Sequence, residues 1–205
     1  MNLLIISSRF PYPLEKGDKL RLYYQIRELA KWHKITLVSV SDEKVSERDK
    51  EQLKPFVYSQ YHFDITKGVR IYNRLSAIVT GLPIQVSQLY DPSIMRVIEK
   101  IAKRHHIGHI YCQLPRAAEY ARRLDIPKTI DYMDAFGESM EKRASIYSGF
   151  KKKLFSTEAK RMRKYESRIF IDFDHHTLIS EQDKSYMAIS TPELIHVVPN
   201  GIDTD

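Results

Sequence analysis

The regular alternation of short apolar runs with segments whose apolar residues recur every three or four positions constrains this chain most. Residues 2–7 (NLLIIS) form a buried-strand run that stops at a loop carrying Pro11, Pro13 and Gly17. Leu20, Tyr23, Tyr24, Ile26, Arg27, Leu29 and Ala30 then follow at helical spacing, with Asp18 placed to cap the start. A second strand over 34–40, a polar helix over 42–54 ended by Pro55, and a third strand within 56–65 come next. A helix over 67–80 ends at the break formed by residues 81–83. Asp91-Pro92 opens another helix whose buried stripe is Ile94, Val97, Ile98, Ile101 and Ala102. The pattern continues with a strand over 109–112, a helix over 115–124, a short strand over 128–131 and a weaker helix over 135–147. A long helix from 151 to about 170 carries Leu154, Phe155, Ala159, Met162, Tyr165, Glu166, Ile169 and Phe170 on its inner edge. A strand over 177–179, a helix over 181–188 and a strand over 194–198 complete the order. Right-handed crossovers turn such an alternation into a parallel sheet with helices on both faces, a Rossmann-like α/β layout in a single domain spanning 1–205.

A chain of 205 residues buries roughly 70% of its unfolded surface, so it needs no metal or disulfide to hold a core. Its single cysteine, Cys112, excludes an intramolecular disulfide and fits a reducing compartment. The longest apolar run near the start, Leu3 to Ile6, is far below the ~18 residues of a membrane span and lacks the basic flank of a signal peptide. These features set the expectation of a cytoplasmic protein.

The charge is uneven. From Glu138 to Arg168 ten basic residues face four acidic ones, so six of the seven net positive charges lie in that segment. The stretch, with Lys151, Lys152 and Lys153 at its centre, is read either as a solvated helix face or as a docking surface for an anionic partner such as the inner face of a membrane. Nucleic acid is disfavoured, because Phe155 and Tyr165 fall on the apolar edge and not on a stacking platform.

In an open parallel sheet, ligands gather beyond the carboxyl ends of the strands. Arg9 and the loop to Gly17 and Asp18 follow the first strand there, Gln113 and Arg116 the fourth, and Tyr132 and Asp134 the fifth. Gly17 is either a turn residue or a point where a phosphate meets a helix N-terminus. Arg116 is either a surface helix residue or a bidentate partner for phosphate or carboxylate. Asp134 is read as a helix N-cap, an acceptor for sugar hydroxyls, or both. There is no GxGxxG, no Walker-type Gly-Lys-Ser/Thr and no GxSxG nucleophile elbow. The His105-His106 and His175-His176 pairs are adjacent in sequence and do not converge as ligands, so neither a metal nor another cofactor is expected.

Three motifs in order carry a resemblance. The opening Ser8-Arg9-Phe10-Pro11-Tyr12-Pro13, followed by Gly17-Asp18-Lys19-Leu20-Arg21 and a helix ending Leu29-Ala30-Lys31-Trp32-His33, resembles the start of family 4 glycosyltransferases of the GT-B fold. Ala159 to Glu166 with Ile179-Ser180-Glu181-Gln182-Asp183 is similar to that family's long helix, strand and acidic turn. Val197-Val198-Pro199-Asn200-Gly201-Ile202-Asp203 is similar to the end of its first domain. The resemblance implies the N-terminal, acceptor-side half of a retaining enzyme that moves a sugar from a nucleotide-sugar donor to a glycan or lipid-linked acceptor, without a metal. It places an interdomain linker at Asn200 and Gly201 and a donor-binding domain beyond this chain, so that the chain alone is expected to be inactive. It brings Gly17 against the donor phosphates, although the second glycine usual at this turn is replaced by Asp18. Asp18 and Arg21 fall near the acceptor or diphosphate, Arg116 and Asp134 are taken as acceptor contacts by position, and Glu166 as a structural anchor facing the cleft. The alternative is a standalone module that docks an anionic membrane surface or partner through the basic helix.

Overall fold

A computed structural model gives the protein's fold over residues 1–201; Ile202 and Asp203 of the third motif lie outside the described residues. The apolar runs become seven strands, β1 (Asn2–Ser7), β2 (Lys34–Ser41), β3 (Ser59–Asp64), β4 (His109–Gln113), β5 (Lys128–Met133), β6 (His175–Leu178) and β7 (Ile195–Val197). They form one sheet in the order β3-β2-β1-β4-β5-β6-β7, with every neighbouring pair parallel. The chain builds outward from β1 to β3 and then returns to β4 on the other side of β1. That reversal leaves a crevice between the carboxyl ends of β1 and β4.

Period-two alternation divides the core. Leu3, Ile5, Ile35 and Leu37 point to one face, where Leu22 and Ile26 of α1 (Gly17–Leu29) and Leu53, just after α2 (Glu47–Glu51), meet them. Leu4, Ile6, Val38, Ile110, Cys112, Ile130 and Tyr132 point to the other. That face is covered by α4 (Ile84–Ser87), α5 (Pro92–Arg104) and α7 (Gly149–Phe170), flanked by α3 (Lys67–Thr80), α6 (Phe136–Ile146) and α8 (Glu181–Tyr186). The expected Rossmann-like layout, with helices on both faces, is the fold observed. On the α1 face β4, β5 and β6 carry polar side chains instead, His109, Thr129, Asp131, His175 and Thr177.

Several local expectations are corrected. The polar helix over 42–54 shrinks to α2, because Ser46 closes a capping box with Asp49 and fixes the start there. Residues 115–124 form only a 3-10 turn over Pro115–Tyr120. The Gly81–Pro83 break leads into α4, too short to show a helical period. Asp18 sits in the first turn of α1 and not at its cap, which is Lys16. Asp134 is likewise not the cap of α6: Ala135 holds that position, and the carboxylate that accepts from Phe136 N at 3.0 Å belongs to Glu166. Val97 and Leu154 are exposed, so neither is core, and Trp32 stands 79% exposed in the turn after α1.

The α6–α7 corner depends on one glycine. A Cβ at Gly137 would lie 2.4 Å from Arg163 Cγ and 3.2 Å from Arg163 N, so only glycine lets the two helices meet there.

Candidate functional site

The residues that follow β1, β4 and β5 converge on a cavity of about 240 Å3 lined by Arg9, Asp18, Leu114, Arg116, Met133, Asp134, Phe136 and Ile179. Two strand ends at its wall hold non-glycine residues at positive φ, Leu114 at 71° and Met133 at 63°. Such backbone persists only where its surroundings fix it. Here Asp131 fixes both: its carbonyl accepts from Leu114 N at 2.8 Å and its Oδ1 from Met133 N at 3.1 Å.

Asp18 lies between two guanidinium groups. Arg9 Nη1 donates to Asp18 Oδ2, and Arg116 Nη2 stands 3.6 Å from the same oxygen. Gln113 Nε2 donates to the Asp18 carbonyl at 2.8 Å, tying the end of β4 to the first turn of α1. Burial, with Arg9 close by, lowers Arg116 to about 10. The Arg116 guanidinium also lies 5.5 Å from the centre of the Phe136 ring. Burial and the nearby Asp183 raise the Asp134 carboxyl against the hydrogen bond from Ser139 Oγ at 3.3 Å. Arg116 Nε, a donor, and Asp134 Oδ1, an acceptor, are both buried without a hydrogen-bond partner among the described residues.

Beside the cavity, Glu43 gathers the loops after β1 and β2. It accepts from Lys16 Nζ at 2.6 Å and meets Lys19 Nζ at 3.0 Å and Arg9 Nε at 3.5 Å. Burial alone would raise this carboxyl, but the hydrogen bonds from Lys16 and Lys19 outweigh burial and bring it to about 2. Gly17 opens α1 with no side-chain cap, and a Cβ there would meet open space. The start of α1 therefore presents its backbone N–H end next to the arginines, an arrangement that favours anions.

Arg21 belongs to a second group. Its side chain is 4% exposed, and its Nε donates to Asp131 Oδ2 at 2.8 Å. The same oxygen accepts from Tyr111 Oη at 2.7 Å and Gln25 Nε2 at 3.2 Å. Arg21 Nη1 donates to Asn200 Oδ1 at 2.8 Å, which pins residues 198–201 over α1. A groove of about 790 Å3 runs between that segment, α1 and the polar sheet face, lined by Leu20, Tyr24, Tyr111, Thr177, Asn200 and Gly201 among others. The structure thus brings Asp18, Arg116 and Asp134 together around the first cavity, and holds Arg21, Gly17, Asn200 and Gly201 along the second. Lys151, Lys152 and Lys153 stand apart from both, exposed in the first turn of α7.

Sequence reasoning missed Asp131 and Glu43. Asp131 carried a signal, a lone carboxylate inside a strand run that must be buried; Glu43 carried none. Glu166 is 3% exposed and accepts from the first N–H groups of α6; burial raises it to about 8. Among the described residues, no group of three or more His, Cys, Asp or Glu side chains is placed to hold a metal ion.

Comparison with solved structures shows the company this fold keeps. Phytolacca americana UGT2, complexed with UDP-2-fluoro-glucose and pterostilbene, matches 100% of this chain over 55% of its own, at a TM-score of 0.58 and 12% identity. The sucrose-phosphate synthase of Thermosynechococcus elongatus matches 99% of this chain over 49% of its own, at 0.63 and 9%. UDP-GlcNAc 2-epimerase of Neisseria meningitidis, bound to UDP-GlcNAc, matches 96% over 45%, at 0.55 and 13%. The chain spans about half the length of these structures, and at such identities the likeness is one of fold. No protein-family model and no curated protein sequence matches the chain.

Proposed function

We propose that this chain is the acceptor-side half of a glycosyltransferase, and that its 240 Å3 cavity takes a sugar hydroxyl between Arg116 and Asp134. One observation carries the reading: a buried unpaired donor, Arg116 Nε, and a buried unpaired acceptor, Asp134 Oδ1, belong to residues that line one cavity at the carboxyl edge of the sheet. A hydroxyl, which both donates and accepts, satisfies the pair, and an apolar ligand satisfies neither.

Arg9 and Arg116, held by Asp18, and the uncapped start of α1 offer guanidinium and backbone N–H donors beside that hydroxyl, which suit the diphosphate of a nucleotide-sugar donor. The donor is bound by a second domain of the parent protein, which Asn200 and Gly201 lead toward, and the transfer is of a hexosyl group with retention at the anomeric carbon. No metal takes part, because the helix start and the arginines stabilise the leaving diphosphate. The acceptor is a glycan or a lipid-linked glycan, as in assembly of a bacterial polysaccharide or glycoconjugate at the cytoplasmic face of the membrane. The motif resemblance and the fold likeness support this reading.

Saturation-transfer NMR with a panel of mono- and oligosaccharides tests the cavity. The expected result is contact with a subset of sugars that Arg116→Ala and Asp134→Asn each weaken at least tenfold. Equal contact with the wild type and both variants overturns the assignment.

A further inference from the structure

We infer that α3 is an interfacial helix that seats the protein on an anionic lipid bilayer, together with the lysines of α7. Residues Ile71, Tyr72, Leu75, Ile78 and Val79 of α3 are 60%, 73%, 62%, 66% and 90% exposed. At 100° per residue they fall within an arc of about 120°. The helix is largely inside out: the side it turns to the protein carries Val69, Asn73, Ser76 and Ala77, while its other large apolar residues face away.

Specific hydrogen bonds hold it in this orientation. Asn73 Nδ2 donates to the Tyr90 carbonyl at 2.7 Å, Ser87 Oγ donates to the Asn73 carbonyl at 2.8 Å, and Arg74 donates twice to Gln88 Oε1 at 3.0 and 2.8 Å. Rolling the apolar arc inward would break all of these. A contiguous apolar face of this kind on a soluble surface marks an interaction site.

The basic segment flanks the same place. Residues 81–83 lead from α3 into α4, whose first N–H, that of Ile84, donates to Glu158 Oε2 of α7 at 2.7 Å. Glu158 stands about 10 Å along α7 from Lys151. Around that start, Ile146 and Phe150 are 79% and 80% exposed, and Tyr147 and Leu154 are exposed as well. Lys152 and Lys153 form no ion pair among the described residues. The nearby acids are taken: Glu138 by Arg163 at 2.9 Å, Glu158 by Arg161 at 3.1 Å, and Glu141 by Ser156 at 3.2 Å.

Large apolar side chains beside unpaired lysines complement a layer that offers acyl chains next to anionic headgroups. A second copy of the chain is a poorer occupant, because a two-fold contact over this corner would set lysine clusters of like charge near each other. No helix among the described residues is long and apolar enough to cross a membrane, so the contact is one of surface seating. The inference rests on this surface alone and stands or falls separately from the sugar site.

Vesicle flotation tests it. Wild-type chain is mixed with vesicles of phosphatidylcholine containing about 30% phosphatidylglycerol, or of phosphatidylcholine alone, at about 0.1 M and about 0.5 M salt. The expected result is flotation with the anionic vesicles, weakened at least tenfold by Leu75→Glu with Ile78→Glu. Changing Lys151, Lys152 and Lys153 to alanine weakens it by about fivefold per lysine, and the loss shrinks at the higher salt. All the altered side chains are exposed, and an unchanged circular dichroism spectrum confirms that the variants fold. Failure of the wild type to float with anionic vesicles overturns the inference. So does flotation that the α3 variant leaves unchanged, or a wild-type dimer in sedimentation velocity that this variant converts to monomer without any vesicle binding.

Discussion

The Arg21–Asp131 pair lies at the base of the larger groove, and its removal has a calculable consequence. Asp131 is fully buried and Arg21 nearly so, 2.8 Å apart. Replacing Arg21 with methionine leaves a buried carboxylate held only by Gln25, Tyr111 and the Met133 amide. Replacing Asp131 with asparagine leaves a buried guanidinium with no counter-charge. Each change is expected to destabilise the fold by about 3–5 kcal/mol, mostly through the lone charge left behind. The double variant has no unpaired charge, so it loses less than the two singles together, by more than about 1.5 kcal/mol. For a chain of this size a loss of ~3 kcal/mol over an m-value of ~2.5 kcal/mol/M moves the urea midpoint down by ~1.2 M. Urea titration followed by circular dichroism at pH 7 measures the cycle. Losses below about 1 kcal/mol, or additivity within about 0.5 kcal/mol, would falsify the claim that this pair is a buried, mutually dependent one.

Further outcomes follow from the same packing. Gly137→Ala is expected to cost about 1–3 kcal/mol by forcing α6 away from Arg163, seen in calorimetry as a fall in Tm of roughly 2–12 °C. Glu166, raised to about 8 by burial, takes up a proton on folding at neutral pH, so its contribution is complete below its unfolded value of 4.5 and lost as pH rises toward 8. His176 runs the other way: burial lowers it to about 4, so folding releases its proton and the stability it gives recovers by about pH 6.5. Above about pH 6.5 the His176 effect is complete, and up to about pH 8 Glu166 contributes a slope of at most ~1.4 kcal/mol per pH unit, which Glu166→Gln is expected to remove in paired urea titrations. Cys112 is fully buried and its thiol is pushed well above the usual range, so reaction with a disulfide reagent should be slow in buffer and rapid in denaturant.

What the sequence revealed and what it hid have physical causes. Strands such as Asn2–Ser7 and helices such as Lys67–Thr80 were legible because a buried run or a strong amphipathic period persists over their whole length. That same strength misleads about direction: the period marks an apolar face without saying whether protein or something else will cover it, and α3 turns its own outward. That Arg116, Asp134 and the loop carrying Asp18 stand at one edge of the sheet was legible from position, because topology brings strand ends together wherever a parallel sheet reverses. Their partners were not legible. Nothing local says that Asp18 will sit between Arg9 and Arg116, or that Asp131, 110 residues from Arg21, will take its guanidinium. The cap expected from Asp134 failed for a similar reason: Glu166 arrives from α7, 30 residues away, to do that work.

The central claim is that the cavity between Arg116 and Asp134 receives the hydroxyl to which a sugar is transferred. Its most direct measurement is sugar transfer from a panel of nucleotide-sugar donors by protein expressed from the complete reading frame, with product configuration read by NMR. The expected result is a product whose anomeric configuration matches the donor, and a fall in kcat/KM of about a hundredfold or more in Arg116→Ala and in Asp134→Asn. Transfer that proceeds undiminished in both variants, or no transfer from any donor in the panel, would contradict it.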